Sequence, residues 1–197
     1  MIELDVVVLG EVLVELASDE PFAAGREVTL GVSGDCVNAA AAAAAAGART
    51  ALLTRIADDE LGDVVEARLH ELGVDTSLVR RVPGQQAAYF VHADPAGARE
   101  FVYLRSGSAG STLDAGDVED ARLDRAVVVL ASGITCALSE SARGAVRAAA
   151  EAARTFVYDP NFRPRLTSAD AAADALRTLA PYAAVVTPAA PGETGPL

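Results

Sequence analysis

The sequence contains no lysine, because all 16 of its basic residues are arginines. This absence excludes the phosphate-binding lysine of a Walker-type loop, the strand lysine of protein kinases and any Schiff-base mechanism. Positive charge is scarce overall, and the formal net charge of -12 argues against nucleic acid or an acidic membrane surface as a partner. The only cysteines, Cys36 and Cys136, lie far apart without a C-x-x-C neighbour, which indicates neither a disulfide framework nor zinc ligation.

Long apolar runs and targeting signals are also missing. No segment combines a charged start, an apolar run and a small-residue cleavage site, and the alanine run at 39–46 is far shorter than the roughly 20 residues of a membrane helix. We therefore expect a cytoplasmic protein. Its 197 residues, 51% hydrophobic and 5% aromatic, are enough to bury the core of one α/β domain.

Apolar β-branched runs alternate with helical patterns along the chain. Strands are predicted at 5–10, 50–56, 126–131, 155–158 and 184–187, and helices at 35–47, 59–72, 139–154 and 168–179. Gly47 and Gly73 are expected to end two helices, and Ser139 and Ser168 to cap two others. This alternation predicts a mostly parallel sheet with helices on its faces.

Polar residues follow several of the predicted strands. Glu11 follows the first strand, Ser132 and Gly133 follow the third, and an acid, an amide and two arginines at 159–165 follow the fourth. Because the carboxyl ends of parallel strands share one edge of a sheet, we predict a ligand crevice there. Glu11 has two equal interpretations, a solvated loop acid and an acceptor for a ligand hydroxyl.

Segments 11–30 and 85–105 read as strands without intervening helices, and we expect them to form a separate small sheet. The sequence at 94–97 fits a type I turn with a bulge, which sets Tyr89 opposite Tyr103 and Val91 opposite Phe101. Side chains alternate along strands, so Arg105 joins these aromatics on one face. That face suits a polyhydroxy anion; the alternative is aromatic packing on the core, with Arg105 reaching water.

The segment at 33–38 precedes the alanine-rich helix. Gly34 allows close backbone approach, and the helix start offers unpaired N–H groups to oxygen atoms, with Asn38 projecting from the first turn. The competing interpretation makes Asp35 a simple helix cap. The acids at 58–60 are expected to complement a helix dipole instead of binding metal, and His70 and His92 to be structural.

Four motifs together resemble a known family. They are Gly34-Asp35 with Asn38 and Gly47, the hairpin Arg99-Glu100-Phe101-Val102-Tyr103-Leu104-Arg105, Ser132-Gly133-Ile134, and Asp159-Pro160-Asn161-Phe162-Arg163-Pro164-Arg165-Leu166. In this order they resemble PfkB-type, ribokinase-like sugar kinases. The pairing of the hairpin with the last motif is most similar to 2-keto-3-deoxygluconate kinases.

The resemblance implies a ribokinase-like three-layer α/β sandwich, of which residues 1–197 form the N-terminal portion, with a small β lid inserted at about 11–31 and 85–105. It also implies transfer of the γ-phosphoryl of ATP, with Mg²⁺, to a sugar or sugar acid. The substrate-binding residues implied are Gly34, Asp35, Asn38, Tyr89, Tyr103, Leu104, Arg105, Ile134 and Arg163, and the ATP-binding residues are Asn161, Phe162 and Arg163. The resemblance implies no metal ligand and no tightly bound cofactor. Homo-oligomers formed through the lid occur in such kinases, and an exposed sheet edge is the second place where copies of this chain could associate.

Several positions depart from the family pattern. The late G-A-G-D segment that supplies the catalytic Asp is absent, and we interpret the similar Asp114-Ala115-Gly116-Asp117 as a charged loop between strands. Ala57 replaces a glycine, and 187–193 lacks the usual N-x-x-E pattern, leaving Glu193 alone.

From these departures we expect a chain truncated on its C-terminal side, inactive by itself, with an open sheet edge at 184–187 that favours association. The alternatives are a non-catalytic sugar-binding pseudo-kinase domain and a kinase for fructose or another neutral sugar. A nucleotide-binding oxidoreductase is disfavoured, because the turn at Gly10 lacks the G-x-G-x-x-G pattern.

Overall fold

A computed structural model describes residues 3–93, 99–190 and 192–193. The strands are β1 Leu4–Leu9, β2 Leu13–Ser18, β3 Thr29–Ser33, β4 Thr50–Ala57, β5 Val79–Val82, β6 Ala88–Ala93, β7 Arg99–Leu104, β8 Ala126–Ser132, β9 Phe156–Asp159 and β10 Ala183–Val186. The helices are α1 Asp35–Ala45, α2 Glu60–Glu71, α3 Ala115–Ala121, α4 Gly133–Cys136, α5 Glu140–Ala152 and α6 Ala169–Leu179.

Six strands pair in parallel in the order β10-β9-β8-β1-β4-β5. Successive side chains of the central strand β1 enter opposite cores: Val7 and Leu9 pack with residues of α3 and α5, and Val8 packs with residues of α1 and α2. Apolar burial on both faces explains the continuous apolar runs in the sequence. The predicted three-layer α/β sandwich is confirmed.

The second sheet has the order β3-β2-β6-β7, with β2 and β6 parallel and the two outer pairs antiparallel. Tyr89 lies opposite Tyr103 and Val91 opposite Phe101, as the hairpin pattern predicted. The predicted turn at 94–97 lies outside the described residues. The small second sheet is thus confirmed with its register.

Most helix boundaries agree with the sequence signals. Gly47 and Gly73 take positive φ angles of 92° and 72° after α1 and α2, and Asp59, Ser139 and Ser168 cap the helices that follow them. None of the helices in the described part has both the length and the apolar character needed to cross a bilayer.

The prediction of a charged loop at Asp114 to Asp117 is wrong. Asp114 is the N-cap of α3, where its carboxylate accepts from the Gly116 and Asp117 amides at 2.8 and 3.3 Å, and Asp117 completes the capping box. Arg55 also donates to Asp114 at 2.8 Å. The four residues are therefore a helix start tied to β4 by an ion pair.

Candidate functional site

The carboxyl ends of β1, β8 and β9 meet the start of α1 at one edge of the parallel sheet. Gly10 makes this approach possible, because a Cβ atom there would lie 2.7 Å from the Cβ of Cys36 in α1. Gly133 does the same between β8 and the loop after β9, since its Cβ would lie 2.1 Å from the Pro160 carbonyl oxygen. Two glycines therefore bring the predicted site segments into contact.

Asp35 joins three of these segments. Its carboxylate accepts a short hydrogen bond from the Ser132 hydroxyl, at the end of β8, and a 3.4 Å hydrogen bond from the side-chain amide of Asn161. The interpretation of Asp35 as a simple helix cap is wrong, because Gly34 holds the N-cap position and α1 has no side-chain cap. Asp35 instead connects α1 to the loop after β9.

Gly34 is required by its backbone conformation. Its φ angle is 134°, which side chains disfavour, and a Cβ atom there would lie 3.0 Å from the Glu11 carbonyl oxygen. Asn38 lies one turn further along α1 and is exposed. The start of α1 is thus packed tightly against the end of β1 while Asn38 stays accessible.

The loop after β9 is held by two carboxylates. Asn161 takes a left-handed φ of 42°, and its N–H donates to Asp159 Oδ1 at 3.1 Å. The buried Glu193 accepts from the Phe162 N–H at 2.6 Å and from the Ala189 N–H at 2.8 Å. Burial raises the pKa of Asp159, and the nearby carboxylates of Glu193 and Asp35 raise it further. These contacts fix the backbone of the predicted nucleotide-side loop.

A shallow depression brings together four residues proposed from the sequence, namely Ile134, Asn161, Phe162 and Arg163. Arg163 is exposed, and its Nη1 donates to the Phe162 carbonyl oxygen at 3.2 Å. Its guanidinium is therefore accessible to an anion at this end of the site.

Three more of the residues predicted to bind substrate, Tyr89, Tyr103 and Leu104, lie on the small sheet. The Tyr89 hydroxyl donates a short hydrogen bond to the Glu15 carboxylate. Burial raises the pKa of Tyr89 to about 12, so its phenol stays neutral at physiological pH. Tyr103 is 45% exposed, with its ring centroid 5.7 Å from that of Tyr89. Tyr89 itself is buried and packs with Leu13 and Ala87, so Tyr103 is the more accessible of the two phenols on the face that they share, the tyrosine face.

Leu104 lies on the opposite face of the small sheet from Tyr103, because successive side chains alternate. Its side chain is 55% exposed on that outer face. A ligand that lies over the tyrosine face could therefore contact only the backbone of Leu104.

Arg105 binds a carboxylate of this chain. Its Nε and Nη2 donate to Glu11 Oε2 at 2.9 and 2.6 Å, and the Ser108 hydroxyl donates a short hydrogen bond to Glu11 Oε1. Glu11 is 1% exposed, and its burial raises its pKa, although the Arg105 charge opposes that rise. The interpretation of Glu11 as a solvated loop acid is wrong, because it is a buried partner of Arg105.

The sequence did not reveal several polar residues that attach the small sheet to the large one. The buried Gln86 donates to the Val12 carbonyl oxygen at 2.7 Å and accepts from the Ala57 N–H at 3.2 Å. Arg165 donates to the Phe101 carbonyl oxygen at 3.4 Å. The sequence shows only a glutamine near the start of the strand segment at 85–105, and its partners Val12 and Ala57 lie 74 and 29 positions away.

Metal ligands are not clustered in the described part of the chain. Among residues 3–93, 99–190 and 192–193, no group of three His, Cys, Asp or Glu side chains is arranged to hold an ion. Cys36 and Cys136 are both buried and free.

The chain is similar to several proteins that are named as sugar or sugar-acid kinases. The chain is 38% identical over 170 residues to the 2-dehydro-3-deoxygluconokinase of Thermoproteus tenax, covering 83% of this chain and 52% of that one. Fructokinase-1 of Oryza sativa subsp. japonica is 33% identical over 134 residues, covering 66% and 41%. The structure of 2-dehydro-3-deoxygluconokinase from Thermotoga maritima superposes with a TM-score of 0.85 at 26% identity, covering 94% of this chain and 60% of that one.

The chain spans about half the length of the curated relatives it matches. Residues 3–193, nearly the whole sequence, match the family described as pfkB family carbohydrate kinase. The three-layer sandwich and the small second sheet agree with that match, and the chain belongs to the pfkB family of carbohydrate kinases.

Proposed function

We propose that this chain binds a sugar acid, 2-keto-3-deoxygluconate or a close analogue, between the tyrosine face of the small sheet and the carboxyl edge of the large sheet. The observation that carries the proposal is the placement of Arg105, whose guanidinium is largely buried and lies 5.7 Å from the Tyr103 ring centroid. An arginine fork beside neutral phenols matches a ligand with one carboxylate and several hydroxyl groups.

The hydroxyl groups of the sugar would be bound from the other side. Asn38 is exposed on the first turns of α1, next to the unprotected N-terminal backbone at Gly34. Tyr89 and Tyr103 would cover the sugar ring or chain, and Ile134 would limit its far end. Asp35 would act mainly through Asn161 and Ser132, because its carboxylate bonds both of them.

The proposed reaction is transfer of the γ-phosphoryl of ATP to a sugar hydroxyl. Arg163 lies exposed beside Asn161 and Phe162, where it would offset charge on the transferring phosphoryl group. Mg²⁺ commonly binds through phosphates, water and one or two carboxylates, and Asp159 is the half-buried carboxylate beside this loop. We propose the cytoplasm as the location of this activity.

A neutral sugar is the second candidate. Glu11 already offsets the charge of Arg105, so the pair carries no net charge while Glu11 is ionised. This pairing favours fructose or a related neutral ligand, which needs hydroxyl partners and no cation.

Ligand-dependent thermal stabilisation tests the proposal. A ligand that binds only the folded state raises the melting temperature in proportion to the logarithm of its concentration over its dissociation constant. We expect 2-keto-3-deoxygluconate to raise it more than fructose at equal concentration. The double variant Glu11→Met with Arg105→Met removes both charges together. It should lose the thermal shift caused by the sugar acid and keep the shift caused by fructose.

A second measurement addresses phosphoryl transfer. The chain is incubated with ATP, Mg²⁺ and each sugar, and phosphorylated sugar is detected by mass spectrometry. Product formed from the sugar acid supports a kinase. Binding without product is expected both of a kinase part that is inactive by itself and of the sugar-binding pseudo-kinase. Appending a C-terminal part that carries the G-A-G-D segment separates them: restored phosphorylation supports the kinase, and no recovery supports the pseudo-kinase. A larger thermal shift with fructose, or shifts of equal size, would reject the sugar acid as the preferred ligand.

A further inference from the structure

Glu11 is a charged side chain in an almost fully buried position. It is 1% exposed, and it accepts three hydrogen bonds, two from Arg105 and one from Ser108. Among the described residues, the other titratable groups facing it are the carboxylate of Asp35 and the thiol of Cys36, which donates to the Glu11 carbonyl oxygen at 3.1 Å. Arg105 is thus the cation that offsets the Glu11 charge.

The geometry of the pair leaves part of the guanidinium available. A guanidinium has five N–H donors, and two of them, on Nε and Nη2, are used by Glu11 Oε2. The edge formed by Nη1 and the second Nη2 hydrogen faces away from that oxygen. This second edge has the spacing that a ligand carboxylate accepts with both oxygens.

Filling that edge changes the local charge. With Glu11 ionised, a bound sugar acid would place two carboxylates on a single guanidinium in a poorly hydrated site. A second nearby anion disfavours the ionised form of a carboxyl group. Burial of Glu11 already acts in the same direction on its pKa, and the carboxylate of Asp35 adds to it.

We propose that Glu11 is a positioning residue that orients the free edge of Arg105 and takes up one proton from solvent when an anionic sugar binds there. The inference rests on the proposed sugar-acid function. Protonated Glu11 still accepts from Arg105 through Oε2, while its Oε1–H donates to the Ser108 hydroxyl, so the bond between these two side chains reverses. Discrimination between acidic and neutral sugars then depends on pH.

Titration calorimetry in two buffers of different ionisation enthalpy counts the protons taken up. We expect net uptake with 2-keto-3-deoxygluconate and none with the amide of the same sugar acid. By linkage, a plot of log affinity for the acid against pH should have a slope between 0 and about -1, the limit for one proton. In Glu11→Gln the slope should be flat, and the acid should bind more tightly than to the parent at pH 8.

Asp5→Asn is the matched control. It also removes a carboxylate that is paired with an arginine, but Asp5 lies at the start of β1, whereas Glu11 follows the end of that strand. It should keep the proton uptake of the parent protein. Ser108→Ala is a second variant, and it keeps the charges of both Glu11 and Arg105. It removes a hydrogen bond that favours the ionised form of Glu11, so the decrease in affinity for the acid should occur at a higher pH than in the parent protein.

Absence of uptake in the parent protein, or equal uptake in Glu11→Gln, overturns the role of Glu11 while leaving the sugar-acid function in place. Failure of the folded parent protein to bind the acid rejects the proposed function and, with it, this inference. The two failures are therefore distinguishable.

Discussion

Single side chains at this site mostly act through one another. Arg105 is positioned by Glu11, Asn161 by Asp35 and Asp159, and the Phe162 backbone by Glu193. The residue types were visible in the sequence, but their pairing was not, because Glu11 and Arg105 are separated by 94 positions. Substituting one residue of such a pair therefore also changes the position or the charge of its partner.

Removing Arg105 alone should destabilise the fold. Arg105→Met leaves the Glu11 carboxylate buried without its cation, a change that typically costs about 3–5 kcal/mol. The double variant with Glu11→Met should lie close to the parent protein, because it buries no charge. Urea unfolding monitored by circular dichroism gives both values, and equal losses in the single and double variants would contradict a coupled pair.

The pH dependence of stability should report Asp159. Its folded pKa lies above the unfolded value, so the folded state disfavours its charge; this penalty is absent below the unfolded pKa and develops as pH rises through the folded pKa. Asp159→Asn keeps a side-chain oxygen for the Asn161 N–H and removes the charge. The melting temperature of this variant minus that of the parent protein should therefore increase as the pH is raised from 4 to 8. A difference independent of pH would exclude the penalty.

Secondary-structure elements were predictable where apolar periodicity was strong. Five parallel strands and four helices were located from their patterns, whereas β5, α3 and α4 were missed. Strand β5 has the sequence Val-Arg-Arg-Val, and its arginines pair with acids of α2 and α3, so charge pairing replaces the apolar signal. Helix α3 is short and acidic, and it depends on the capping box of Asp114.

Two glycines provide a matched test of element packing. Gly133→Ala would place a Cβ atom 2.1 Å from the Pro160 carbonyl oxygen, whereas Gly144→Ala, on α5, meets nothing within 4 Å. We expect Gly133→Ala to lose about 1–3 kcal/mol. Gly144→Ala should gain about 0.5–1 kcal/mol through helix propensity. Chemical denaturation compares them, and equal behaviour would reject the close approach of β8 and the loop after β9.

At the scale of the whole molecule, the layered architecture followed from the sequence because strands and helices alternate. The relation between the two sheets did not follow, since it depends on side chains such as Gln86 and Arg105 that bridge them. The outer face of the small sheet was also unforeseen in detail. Leu30, Leu16, Phe90 and Val102 pair across its four strands in one continuous apolar row.

We propose that this apolar row is the contact of a homo-oligomer, because Leu30 and Val102 are 45% and 54% exposed at its two ends. Val102→Glu should shift sedimentation velocity toward the monomer while circular dichroism stays unchanged. Val127→Glu, which places a charge at another exposed valine on β8, is the control. A monomeric parent protein, or an equal effect of both substitutions, would contradict the contact.

Arg105 and the tyrosine face together are proposed to bind a sugar acid. Titration calorimetry of the chain with 2-keto-3-deoxygluconate and, separately, with fructose measures whether they do. We predict one binding site per chain for the acid and at least tenfold weaker binding of fructose, a difference of about 1.4 kcal/mol. Equal affinity for both sugars, or no heat of binding from a folded sample, would contradict it.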